Sequence, residues 1–596
     1  MADEDIAVVG VTGRYPESPD VETLWRNLTA GRDCVTEIPE NRWDWRNFAD
    51  AAGAEQGRHS YSRWGGFLDD IDMFDPGFFN ILPKDAAAMD PQERLFLETC
   101  WLLLEGSGYL GSSTHEPSTG VFVGLMHGTY GNIGATGWPQ GNFRGPRSSH
   151  WSTANRISHF FDFNGPSFAV DSACSSSLTA VHLACESIRR QECSMALAGG
   201  VNLLLHPAHY TSLCSMNMLA RDGACKVFDE RADGFVPGEG VGAVLLKPLA
   251  RAIDDGDHIW GVIKGSFLNS EGRTMGYTVP SPVAQEALIS ATLRRSAVDA
   301  RTIGYVEAHG TGTSLGDPIE LAGLTRAYTK AGVDSGSCWI GSVKANIGHL
   351  EGAAGIAGLT KALLQVKFGK ITPSVHLENP NPKIDFERSP FRPARSLTDW
   401  EAQGHPRRAA VSSFGAGGAD VHVIVEQPPE PATDPDPQSG SGPGVLLLSA
   451  RTRGQLQQLA RETLDSLGSG PLKGASIESL AYTSQVGRRD MRERVAIVAD
   501  DLPCLCDRMS AYLNGVEAPG VHSGSVRRTP GRPGTSPAEH ENSDAAAQSW
   551  AQGNAVDWHH SWAGRRPGRV PLPAYPFTRK RYWAEGDDGR NGVHDG

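Results

Sequence analysis

Four short segments of this chain carry side chains that could do chemistry together. The first, Val170-Asp-Ser-Ala-Cys174-Ser-Ser-Ser-Leu178, sets a thiol ahead of an apolar helical stretch ending at Arg189-Arg190. A cysteine opening a helix feels the positive end of the helix dipole, which favours thiolate. The small serines leave room around the sulfur for an acyl group. The second, Val306-Glu-Ala-His309-Gly-Thr311-Gly-Thr313-Ser-Leu-Gly-Asp317-Pro-Ile-Glu320, reads as a tight loop. It presents an imidazole and hydroxyls able to hydrogen-bond a polar, amide-bearing arm. The third, Ser342-Val-Lys344-Ala-Asn-Ile-Gly-His349-Leu-Glu351, puts a lysine and a second imidazole on a glycine-containing turn before a helix of small residues. The fourth, Ser412-Ser-Phe414-Gly-Ala416-Gly-Gly418, is a glycine-rich loop whose backbone amides can serve as oxyanion donors. It lacks the Gly-Lys-Ser/Thr of a phosphate loop. Singly, each has an ordinary explanation: an inert core thiol, a turn, a satisfied core histidine, a solvated lysine. Jointly they make an acyl-transfer set, in which the histidines can donate N–H bonds to a thioester oxygen as it becomes an enolate.

The elements that must position these residues alternate. Short β-branched or apolar runs at Ala7–Val11, Gly120–Gly124, Met195–Leu205, Val241–Leu246, Gly304–Glu307, Trp339–Val343, Ala409–Ser413 and Val421–Glu426 read as strands. Helical stretches at Cys174–Arg190 and Ala353–Val366 lie between them. The pattern predicts an α/β unit over 1–426, with mostly mixed or parallel sheets covered on both faces. Residues 427–444 are rich in Pro, Asp, Ser and Gly and read as a linker. A small α/β flanking domain is expected over 445–525, then a mobile linker over 526–549 and an aromatic tail over 550–596. A tail this aromatic should pack against a surface.

Composition narrows the partners. The 596 residues are 39% hydrophobic and 21% charged, an ordinary globular balance. A formal net charge of -14 argues against nucleic acid or an anionic membrane as the global partner. No apolar run approaches the ~20 residues of a membrane span. The N-terminus shows no signal peptide, and a cytoplasmic location is expected. The ten cysteines are scattered, without a CxxC pair, so neither a disulfide framework nor a metal site is expected.

Residues 1–426 resemble the ketosynthase (beta-ketoacyl synthase) domain of a modular type I polyketide synthase, within the thiolase superfamily. The four segments carry the resemblance, with Met89-Asp-Pro-Gln-Glu-Arg94 and Asp233-Gly-Phe-Val-Pro-Gly-Glu-Gly240. It implies a thiolase-like duplicated core, a five-layer α-β-α-β-α sandwich. It also implies roles: Cys174 as acylated nucleophile, His309 and His349 for decarboxylation and condensation, and Lys344 for active-site electrostatics. Thr311 and Thr313 would hold the phosphopantetheine arm, and the backbone amides of Cys174 and Ala416 would form the oxyanion hole. Fatty-acid relatives carry Phe where Ala416 stands, so any gating role of that ring is in doubt here.

Residues 445–515 resemble the linker domain between ketosynthase and acyltransferase. Val556-Asp-Trp558 and Val570–Trp583 resemble the segment that follows an acyltransferase. The roughly 40 residues between are too few for that domain, and no GxSxG elbow is present. The resemblance therefore implies a trans-acyltransferase system with a separate loading enzyme. Further implications are a homodimer, acyl carrier proteins as partners, and no bound cofactor, phosphopantetheine arriving on the carrier. The expected activity is chain elongation by decarboxylative condensation. The alternative is a non-condensing relay or scaffold that only passes the acyl chain on. Arg407-Arg408 and Arg579-Lys-Arg581 are the candidate basic patches for an acidic carrier, solubilising arginines being the plain alternative.

Overall fold

In the computed structural model the described residues are 5–49, 59–111, 114–133, 148–402, 404–429, 444–470, 472–526, 542–562 and 565–584. The strands of the large unit are β1 (Ile6–Arg14), β2 (Thr119–Gly124), β3 (Ser167–Val170), β4 (Met195–Asn202), β5 (Gly240–Pro248) and β6 (Gly261–Ser270), followed by β7 (Ile303–Glu307), β8 (Cys338–Gly341), β9 (Phe391–Pro393), β10 (Arg408–Phe414) and β11 (Ala419–Glu426). They form one sheet in the order β9-β8-β7-β10-β11-β6-β1-β5-β4-β2-β3.

A duplication lies in that order. In the first half, β2 pairs parallel with β3 and β4, and β4-β5-β1 continue antiparallel. In the second, β7 pairs parallel with β8 and β10, and β10-β11-β6 continue antiparallel. Within the sheet, Ile6–Val8 and Gly261–Ile263 join the halves. Alternation along each strand then builds layers. Ile6 and Val8 face one way, into a core with Val421, Val423 and Val425 from the second half. Ala7 and Val9 face the other way.

Between the halves lie two buried helices, α1 (Ser176–Arg189) and α2 (Ala354–Phe368), built of Ala, Leu, Ile and Val. Helix Pro91–Gly106 and helix His150–Phe161 cover the outer face of the first half. Helix Pro282–Ser296 and helix Gly316–Lys330 cover that of the second. The result is the expected five layers, helix-sheet-helix-sheet-helix.

The flanking unit is a three-stranded antiparallel sheet of Gly444–Ala450, Glu493–Ala499 and Val521–Ser525, with helices Arg453–Ser469, Ile477–Gly487 and Leu502–Leu513. A Thr452/Gln455 capping box starts the first helix. The expected linkers at 427–444 and 526–549 fall largely on 430–443 and 527–541, outside the described residues. One correction concerns the end of the second. A helix spans Ser543–Ala551 and lays Ala546, Ala547 and Trp550 on Val445, Leu447, Ala496 and Val498. Polar composition hid it, because only one face of that helix is apolar and the sheet it covers is remote in sequence.

The tail runs back over both units. Tyr575 is buried against Phe78 and Trp101; its N–H bonds Glu105 at 2.7 Å and its hydroxyl bonds Gln455 of the flanking unit at 2.9 Å. Further on, Arg94 donates to the Tyr582 carbonyl at 2.6 Å, and Trp583 packs edge-on against Tyr130. Arg569 pairs with buried Asp257. Tyr575→Ala should therefore cost about 3–5 kcal/mol, the scale of losing a large buried aromatic. Thermal unfolding would read this as a lowered Tm; an unchanged curve would show that the tail is merely draped.

Candidate active site

The nucleophile candidate sits where β3 turns into α1. Ala173 takes a left-handed conformation, φ +55°, unusual for a residue with a side chain. The turn is held by Ala173 N–H to Asp171 (3.0 Å) and Ser172 N–H to the Ser176 hydroxyl (3.0 Å). Two glycines let backbone press on it. A Cβ on Gly124, at the end of β2, would lie 2.3 Å from Ser177 N. A Cβ on Gly415, in the loop between β10 and β11, would lie 2.3 Å from Ser172 O. That loop is also bonded to the turn: Ser413 donates to the Cys174 carbonyl (3.0 Å), and Ser175 donates to the Ala419 carbonyl (2.7 Å). The backbone N–H groups of Ala416 and Cys174 both reach the sulfur. Ala416 and Gly417 themselves are exposed.

Burial pushes the Cys174 thiol up to about 12, and Glu351 adds to the rise; Lys344 and the two amides pull the other way. The expectation of a helix-lowered thiol is thus corrected. Desolvation of the thiolate outweighs the dipole, which leaves the thiol protonated near neutral pH.

The two imidazoles are neutral and alike in tautomer. Phe414 N–H, the last residue of β10, donates to Nδ1 of His309 at 3.3 Å. Glu351 N–H donates to Nδ1 of His349 at 3.0 Å. A nitrogen that accepts an N–H carries a lone pair, so each ring holds its proton on Nε2. The rings lie 5.5 Å apart, nearly perpendicular. Burial lowers His349 to about 3 and holds His309 well below its usual value; the charge on Lys344 reinforces both. Lys344 is itself buried, which lowers it, with Glu307 and Glu320 opposing. The site therefore offers two uncharged Nε2–H donors beside a protonated thiol.

The loop after His309 is shaped by two carboxylates that the sequence reading quoted without assigning a role. Glu320 accepts the N–H groups of His309 (2.7 Å) and Gly310 (2.8 Å). Asp317 accepts those of Phe228 (2.8 Å), Thr311 (3.1 Å) and Gly312 (3.1 Å). Burial raises Glu320 to about 7 and Asp317 to about 6. Their signal was an acidic i, i+3 pair opening a helix straight after a glycine-rich loop, the arrangement that satisfies free N–H groups. Glu307 was also missed. It accepts Val343 N–H at 2.6 Å and pairs with Lys361 at 3.0 Å, tying β7 to the turn that carries Lys344.

Cys174, His309, His349, Lys344 and the Ala416 amide are thus brought together. Thr311 and Thr313 stay half-buried on the neighbouring loop, their hydroxyls 3.2 Å apart. The basic patches fare differently. Arg408 is paired with Glu426 at 2.6 Å, Arg579 with Glu98 at 3.1 Å and Arg581 with Asp72 at 2.8 Å. Arg407 donates to the Val366 carbonyl at 2.8 Å. These arginines fasten elements to one another instead of forming free cationic surfaces.

Fold and site define a class: a thiolase-like α/β enzyme whose two halves meet around one cysteine and two neutral histidines. Family models agree and sharpen it, matching the beta-ketoacyl synthase N-terminal domain at residues 3–252, its C-terminal domain at 260–378, and the ketoacyl-synthetase C-terminal extension at 380–498. The chain belongs to the beta-ketoacyl synthase family, as a ketosynthase of the polyketide synthase kind. It is 47% identical to polyketide synthase PksL of Bacillus subtilis over 97% of this chain and 13% of that protein. To polyketide synthase ThaG of Burkholderia thailandensis it is 45% identical, over 97% of this chain and 11% of that protein. It thus spans only about an eighth of the curated relatives' length. Among solved structures, the oxazolomycin ketosynthase domain OzmH KS7 of Streptomyces albus is similar at TM-score 0.89 and 43% identity, with 98% of each chain covered. The ketosynthase from module 6 of the Bacillus subtilis bacillaene synthase gives 0.86 and 36%, covering 97% of this chain and all of that one.

A thiol held near 12 predicts a simple pH profile. Thiolate is the alkylated form, so iodoacetamide labelling of Cys174, followed by peptide mass spectrometry, should speed up about tenfold per pH unit from pH 7 to 9. A plateau below pH 8 would mean that the amides and Lys344 outweigh burial.

Proposed function

We propose that this chain elongates a polyketide by acyl transfer followed by decarboxylative Claisen condensation. An acyl carrier protein presents the growing chain as a phosphopantetheine thioester, its arm passing Thr311 and Thr313. The Cys174 sulfur attacks the thioester carbonyl, the carrier thiol leaves with the proton, and an acyl-cysteine remains. A malonyl-type extender on a carrier then enters. Its carboxylate departs as carbon dioxide, leaving the electron pair on the α-carbon and, by resonance, on the thioester oxygen. The Nε2–H groups of His309 and His349 stabilise that enolate. Its carbon attacks the acyl-cysteine carbonyl, whose oxyanion is received by the amides of Cys174 and Ala416. Collapse expels the Cys174 thiolate, which takes up one proton from water to restore the thiol, and a β-ketoacyl thioester leaves on the carrier.

The observation that carries this reading is the matched pair of neutral Nε2–H donors. Transfer to and from Cys174 needs only the thiol and the amides; a pair of donors held side by side serves a charge that develops elsewhere. The same pair favours condensation over the relay alternative. No metal or bound cofactor enters any step.

For partners, we read a cytoplasmic homodimer served by a separate trans-acting acyltransferase. Supporting the dimer, β3 is an edge strand with Phe168 41% exposed, an edge that a second copy can cover. The separate acyltransferase is inferred from the tail, which follows the flanking unit without such a domain between.

Two measurements test the reading. His309→Ala should still form the acyl adduct on Cys174, seen by intact mass, but lose about 10²–10³ in condensation rate; near-normal condensation would sink the role given to His309. Light scattering at micromolar concentration should show a dimer, and Phe168→Asp should shift it toward monomer. A monomeric native chain would contradict the assembly.

A further inference from the structure

One cluster beside the site takes no part in the steps above. Glu351 is buried, 3% exposed at its side chain, and its backbone is left-handed at φ +45°. Backbone strain of this kind gathers at functional positions. Its two carboxylate oxygens bond two different imidazoles, Nε2 of His127 and Nε2 of His209, each at 2.7 Å. The rings stand edge to face, 4.5 Å apart. His127 lies just past β2, three residues beyond Gly124, the glycine pressed against Ser177 of the Cys174 turn. His209 opens helix Ala208–Ser215. The cluster borders the reacting centre: Glu351 supplies the N–H that orients His349, and its charge is felt at Cys174.

The hydrogen bonds decide what the cluster presents. Both Nε2 atoms are engaged by the carboxylate, so each ring turns Nδ1 outward. Among the described residues nothing bonds either Nδ1, and His127 and His209 keep 23% and 11% side-chain exposure. A carboxylate only accepts, so Nε2 carries the proton it gives to Glu351, and Nδ1 of the neutral ring keeps its lone pair. Such a pair offers two acceptors, side by side. A hydroxyl can donate to them; a ketone only accepts; a methylene does neither. The close Nε2-to-carboxylate contacts also aim the three groups at one another, as hydrogen bonds do, and not at a shared central ion.

We propose that His127 and His209, held by Glu351, form a subsite that reads a hydroxyl near the carbonyl of the acyl chain, so that Cys174 prefers hydroxyacyl thioesters over their keto and fully reduced counterparts. The proposal rests on the reading of Cys174 as the acylated residue and names its substrate class.

Loading of the full chain with 3-hydroxybutyryl, 3-oxobutyryl and butyryl pantetheine thioesters, followed by intact mass, tests it. The hydroxy compound should load about tenfold faster than the other two, the scale of one or two net hydrogen bonds. His127→Leu and His209→Leu should bring the ratio close to one, and His127→Gln, whose amide oxygen still accepts, should keep part of it. Equal loading of the three thioesters by the native chain would overturn the proposal whatever the variants do. So would an unchanged ratio in the leucine variants. Stoichiometric metal in the purified native protein, lost in Glu351→Gln, would overturn it in favour of a metal centre. Failure of Cys174 to load any thioester would instead overturn the condensing-enzyme reading beneath it.

Discussion

Two backbone N–H groups set the chemistry of this molecule. Phe414 N–H holds Nδ1 of His309, Glu351 N–H holds Nδ1 of His349, and both rings are left with a proton on the nitrogen facing the reacting centre. An imidazole free to choose would split between tautomers and, near neutral pH, between charge states. Burial and the neighbouring Lys344 remove the second freedom, since a positive ring beside a buried ammonium costs free energy. Lys344 acts through its field, and Glu307 and Glu320 keep that buried charge tolerable. Removing either N–H would leave the histidine in place and undefined.

Those donors come from the ends of strands and helices, which is why the layered core matters. Cys174 precedes the buried helix that follows β3, and His349 precedes the buried helix that follows β8, the counterpart strand of the second half. Similar halves, packed face to face, bring equivalent ends together at one point. The glycine-rich loop of β10 and β11 then reaches across and bonds the Cys174 turn through Ser413 and Ala419. The site is a seam: neither half contains it, and the missing side chain at Gly415 is what lets the loop of the second half close against Ser172 of the first. The flanking unit is fastened to this core from outside, by Tyr575 bridging Glu105 and Gln455 and by Arg488 pairing with Glu105 at 3.0 Å. Glu105 is a buried carboxylate, so its two partners stabilise the junction only while both are present.

Much was legible in order along the chain. The spacing of apolar residues located eight of the eleven strands and the two buried helices, because period two and period 3.6 are local properties, but it passed over β3, β6 and β9. The motifs around Cys174, His309, Lys344, His349 and Ala416 named the candidate groups that the fold brings together, because residue type fixes what a side chain can donate, accept or attack with. Asp317 and Glu320 were visible as letters but not as partners, since the N–H groups they satisfy exist only once the loop has closed.

Tertiary structure decided the rest, for one physical reason: protonation state, tautomer and accessibility depend on the sum of neighbours, and those neighbours are remote in sequence. The helix dipole at Cys174 could be inferred from its position, whereas the burial that overrides it could not. Arg408, Arg579 and Arg581 read as basic patches until Glu426, Glu98 and Asp72 arrived beside them. Helix Ser543–Ala551 was hidden by its polar face until the sheet it covers was in place. The union of His127, His209 and Glu351, drawn from three separate stretches, has no trace in the sequence at all. Which groups this protein carries was written in its residues; which of them are charged, paired or open to a substrate was settled only when the two halves closed on each other.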